Sequence, residues 1–74
     1  MRLDCVRVGF VGSLVSLSGD DWVTGRLREL GFVPGQAIEL LSRLVTGEPL
    51  VVRIGSARYA LRRAEASCLE VEGS

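Results

Sequence analysis

Apolar and polar positions change period several times along this chain, and those changes divide it into elements. Val8 to Leu17 is rich in valine, leucine and small residues and predicts a first strand, with Gly9 and Gly12 allowing a bend or bulge. Apolar groups occur on both of its faces, so alternation alone does not identify the core side. From about Asp21 to Leu30 the spacing becomes helical: Val23, Leu27 and Leu30 stand at i, i+4 and i+7 and form one stripe. Ala37 to Leu44, Leu50 to Ile54 and Ala57 to Leu61 return to strand-like alternation, with Tyr59 and Leu61 expected inward. Arg62 to Ser67 predicts a short helical turn, and Leu69 to Glu72 a last strand. Met1 to Arg7 shows no period and is assigned as a lead-in.

The junctions carry recognisable chemistry. Ser18, Asp20 or Asp21 can cap the helix start, and both aspartates sit at the positive end of its dipole. Gly31 follows the last apolar helical position, where a left-handed residue commonly ends a helix. Pro34-Gly35 suits the central positions of a type II turn, because proline pre-sets the first φ and glycine accepts a positive second one. Gly47 and Pro49 punctuate a loop, and Gly55-Ser56 suits a two-residue hairpin. Gly25, inside the helix, costs about 1 kcal/mol against alanine, and points either to close approach of another backbone or to a ragged first half. Short strands, tight turns and one helix imply a small, strongly bent barrel.

Composition narrows the function. Seventy-four residues allow one domain over 1–74 and little room for an enclosed active site. Nine basic residues, all arginine, balance nine acidic ones, which weakens any general nucleic-acid or acidic-membrane reading. The sequence contains no histidine and no lysine. None of its serines therefore has an imidazole partner for nucleophilic catalysis, and no phosphate-binding loop can be completed. A metal site from one chain would lack the usual imidazole ligands, so none is expected, and no cofactor is implied. Cys5 and Cys68 are expected as reduced thiols. Neither a signal peptide nor a long apolar run is seen, so a soluble cytoplasmic protein is expected.

Several pieces in order resemble a known family. They are Arg26-Leu27, Glu29-Leu30-Gly31-Phe32, Pro34-Gly35, Gly47-Glu48-Pro49, and Ala60-Leu61-Arg62-Arg63 with Ala66. The chain looks like the FeoA-type ferrous iron transport proteins. The resemblance implies a mainly β fold, an SH3-like β-barrel of about five strands with one inserted α-helix. It implies a non-enzymatic cytosolic accessory protein whose partner is FeoB, the membrane transporter of ferrous iron with a cytosolic GTP-binding domain. Gly31, Pro34, Gly35, Gly47, Pro49, Leu61 and Ala66 are its structural positions. The same module forms the C-terminal domain of some iron-dependent repressors, which supplies an alternative: a free-standing regulatory or nucleic-acid-binding module using Arg53, Arg58, Arg62 and Arg63. The residues assigned to partner contact are Trp22, Arg26, Leu27, Leu30 and Phe32, with Leu27, Leu30 and Phe32 equally readable as core sealing the helix to the barrel. Weak homo-oligomerisation is compatible with the neutral net charge.

Overall fold

The computed structural model describes residues 1–73. A short 3₁₀ turn at Leu3–Cys5 precedes β1 (Val11–Leu17), α1 (Asp21–Leu30), β2 (Ala37–Arg43), β3 (Leu50–Ile54), β4 (Ala57–Leu61), α2 (Arg63–Ala66) and β5 (Leu69–Gly73). The strands form one antiparallel sheet in the order β4-β3-β2-β1-β5, so α1 is an insertion between the neighbours β1 and β2. The first strand starts later than its composition predicts, at Val11: Val8 and Gly9 lie in a turn, and Gly9 takes φ +96°.

Two irregularities bend the sheet. The β1–β5 register shifts between Leu14 and Ser16, and the β2–β3 register between Leu40 and Ser42. An extra residue moves the following side chains to the opposite face. Leu14 is therefore buried, and Leu17, three residues on, also packs against the core. This shift is why alternation did not identify β1's inner face. In β2, Ile38 and Leu40 are buried while Ser42 turns outward.

The lead-in is part of the core. Leu3, Val6 and Phe10 are buried among the residues of the strands. The Met1 carbonyl accepts from the Val71 N–H at 2.7 Å, the Met1 ammonium donates to the Val71 carbonyl at 3.0 Å and also pairs with Glu70. The backbone of Arg2 forms an isolated antiparallel β-bridge with that of Glu70. The first residues thus run along the outer edge of β5. Arg43 extends this clamp, donating from Nη2 to the Asp4 carbonyl at 2.9 Å.

The loop at Gly47 closes as its residues predict, with φ +100° and a bond of 2.8 Å from its N–H to the Leu44 carbonyl. Pro49 leads into β3, and Glu48 accepts the Arg63 N–H at 2.8 Å, pinning the loop to α2. Leu61 and Ala66 are buried on either side of that junction.

Candidate functional site

The helix α1 is set by local chemistry at both ends. Asp20 is the N-cap, its carboxylate accepting from the Trp22 N–H at 2.8 Å and the Val23 N–H at 3.4 Å. At the other end Gly31 is left-handed, with φ +111°. Its N–H bonds to the Arg28 carbonyl and the Phe32 N–H to the Leu27 carbonyl, each at 3.0 Å. That pair of bonds is a Schellman motif, in which the residue after glycine packs back on the last turn. Here that residue is Phe32, and it is fully buried, as is Leu27. The turn at Pro34-Gly35 follows, with Gly35 at φ +91° and its N–H bonded to the Leu14 carbonyl at 2.8 Å. Helix, stop and turn are therefore held to β1. Gly25 lies in an unbroken helix and nothing stands within 4 Å of where its Cβ would be, so neither close backbone approach nor a ragged start accounts for it.

The five residues assigned to partner contact fall into two groups. Leu27 and Phe32 belong to the core and do not reach the surface, which corrects their assignment to contact. Trp22, Arg26 and Leu30 are exposed, at 74% for Trp22 and 40% for Leu30. They stand at i, i+4 and i+8, so they line one strip along the flank of the buried face. The stripe Val23–Leu27–Leu30 is thus not buried throughout. Thr24 and Leu27 are buried, and at about 100° per residue Leu30 points about 20° from the half-buried Val23 and about 40° from Arg26, at the edge of the buried face. Phe32 occupies the interior in its place. Val33, just past the stop, adds another exposed apolar group. Tyr59 of β4 fixes this end of the strip: its hydroxyl donates to the Leu30 carbonyl at 3.0 Å, and its ring lies 5.5 Å from that of Phe32.

Elsewhere the chemistry is sparse. Arg53 and Arg58 face each other across the β3–β4 hairpin, both exposed, but Arg53 is paired with Glu39. Arg62 and Arg63 stand at the start of α2, where Glu65 accepts the Arg62 N–H at 2.8 Å. Both cysteines are free thiols, Cys5 exposed and Cys68 half-buried. The Arg2 guanidinium pKa is pushed up, first by its hydrogen bond to Cys5 and then by the Asp4 charge. Met1 and the segment from Cys5 to Phe10 surround an open groove of about 430 Å³, with Arg7 and Cys5 as its polar side chains. Among the described residues no group of three or more metal-ligating side chains converges. No helix among them is long and apolar enough to cross a membrane.

The comparisons with known proteins agree with this geometry. The FeoA domain profile matches residues 1–73. The zinc-bound FeoA of Stenotrophomonas maltophilia, a prokaryotic SH3 domain protein, is 34% identical, with a TM-score of 0.85 over 97% of this chain and 89% of that one. Iron(II) transport protein A of Clostridium thermocellum is 33% identical, with a TM-score of 0.90 over 99% of this chain but 45% of that one. A manganese-dependent transcriptional repressor gives a TM-score of 0.91 over 41% of its length, and at 21% identity this shows a shared fold alone. No protein of curated function matches in sequence. The five-stranded sheet with its inserted helix is the SH3-like fold, and the chain belongs to the FeoA family, which is involved in ferrous iron transport.

Proposed function

We propose that this protein is a non-enzymatic, cytoplasmic accessory of ferrous iron transport, and that its 1–74 module docks on the cytosolic GTP-binding domain of a FeoB-type transporter through the exposed strip of α1. One observation carries the reading: Trp22 is largely exposed on a helix capped at both ends and anchored to the sheet. An exposed tryptophan contributes little to a fold, and tryptophan is enriched among the residues that dominate protein interfaces. Arg26 and Leu30 extend the same strip with a cation and an apolar group. The family's link to ferrous iron transport supports a FeoB-type transporter as the partner. The docking needs no cofactor.

The test is direct binding of the purified protein to the FeoB cytosolic domain, with Trp22→Ala and Arg26→Glu beside the wild type. Each variant should keep the wild-type melting temperature and lose affinity, about 30-fold for a hot-spot tryptophan. Wild-type protein that does not bind, or variants that bind as well as wild type, overturn the reading. The repressor-like alternative predicts nucleic-acid binding that weakens steeply with salt. The balanced charge of nine against nine offers it little support.

A further inference from the structure

The sheet has two edge strands, and they are treated differently. Residues 1 and 2 run along the outer side of β5, where Met1 bonds to Val71 and Arg2 pairs with Glu70, and cover the middle of that edge. The backbone bonds of β4, among the described residues, go only to β3. An open edge presents unpaired N–H and C=O groups and is a template for another strand.

The register shows which groups are presented. In a two-residue hairpin the residues flanking the loop exchange backbone bonds, and bonded and non-bonded pairs then alternate. Ile54–Ala57, Val52–Tyr59 and Leu50–Leu61 are therefore the bonded pairs of β3 and β4. Arg58 and Ala60 direct their N–H and C=O outward. Their side chains are exposed, while Tyr59 points to the other face, against the core.

From this we propose that β4 pairs antiparallel with β4 of a second copy of this chain, about a two-fold axis at Tyr59. The occupant follows from three features. The strand is complementary to itself about that residue: Arg58 of one copy exchanges both backbone bonds with Ala60 of the other, twice over. Each Arg58 then faces a small neutral Ala60, so the pairing places no like charges directly opposite. The covered β5 edge stops addition at two copies, and the zero net charge leaves little long-range repulsion. The inference concerns β4 and does not depend on the docking role of α1.

Sedimentation equilibrium on the intact protein from micromolar to millimolar concentration tests it, with three substitutions at one position. Ala60→Pro removes an N–H that does not bond to β3, and proline is tolerated on an edge, so the fold should persist while dimerisation is lost. Ala60→Glu sets a carboxylate opposite Arg58 of the other copy and Ala60→Lys a like charge. Cross-strand pair energies, doubled by symmetry, predict about a two- to thirty-fold tightening for the first and weakening for the second. Thermal melts of each variant separate loss of pairing from loss of fold. A wild-type protein that stays monomeric at millimolar concentration overturns the proposal. So does a dimer that Ala60→Pro leaves intact with its fold unchanged, or one that Ala60→Glu and Ala60→Lys shift alike. Should Ala60→Pro unfold, the Glu and Lys pair decides alone.

Discussion

The Tyr59 hydroxyl donates to the Leu30 carbonyl across 3.0 Å, joining strand β4 to the last turn of α1. The carbonyls of a helix's last turn lack intrahelical partners, and a side-chain donor is one way to satisfy them. The same tyrosine lays its ring against Phe32, so one residue supports both the end of the helix and the aromatic that follows. Tyr59→Phe keeps the ring and removes the donor. It should destabilise the protein by about 1 kcal/mol, the usual net value of such a bond. Urea titration measures the loss, and amide exchange should show it concentrated at Leu30 to Val33.

Two glycines of this region should respond oppositely to alanine. Gly31 is left-handed, and an added Cβ would stand 3.3 Å from the Ile54 Cδ1. The conformation alone costs a non-glycine residue roughly 1–2 kcal/mol, so Gly31→Ala should lower stability by at least that much. Gly25 is helical with open space around it. Gly25→Ala should raise stability by about 0.5–1 kcal/mol, through better helix propensity and a less free unfolded chain. Denaturation of both variants under one set of conditions reads the sign of each.

Gly12 presents the harder constraint. A Cβ there would lie 2.1 Å from the Glu72 carbonyl oxygen and 2.7 Å from the Phe10 ring. The obstacle is backbone of the paired strand β5, which cannot swing aside as a side chain can. Gly12→Ala should therefore disturb the β1–β5 pairing and cost on the order of 3 kcal/mol or more, in the upper range for single substitutions. A melting temperature within a degree or two of wild type would contradict it.

These positions show where the sequence speaks. The ends of α1, the Pro34-Gly35 turn and the Gly55-Ser56 hairpin are encoded in a few adjacent residues, because caps and turns require particular φ values and particular acceptors. They were legible for that reason. The role of Leu3, Val6 and Phe10 was not. Their burial comes from the first residues folding along β5, a contact nearly seventy residues apart in sequence, as in the Met1–Glu70 ion pair. The inner face of β1 was hidden by the register shift after Leu14, which defeats a period-two reading. Leu30 was misplaced for a geometric reason: i+7 spacing put it on the stripe, but the chain turns inward one residue later and Phe32 takes the interior position.

The same distinction decides how the proposed docking surface is to be probed. Leu27 is 1% exposed, and its truncation to alanine should cost about 2–5 kcal/mol by leaving a cavity. A charged residue there would unfold the protein, so loss of partner binding by Leu27→Glu would say nothing about contact. Trp22 is the reverse case. Its side chain is mostly in water, and substitutions at such sites usually change stability by no more than about 0.5 kcal/mol. Trp22→Ala should thus melt with the wild type. If the α1 strip is the contact, the variant should lose about 2 kcal/mol of affinity for the FeoB cytosolic domain, read by calorimetry. Leu30→Ala, half-exposed at the end of the same strip, should fall between the two in both measurements. An order in which affinity tracks stability, with Leu27→Ala worst and Trp22→Ala neutral, would move the contact off α1.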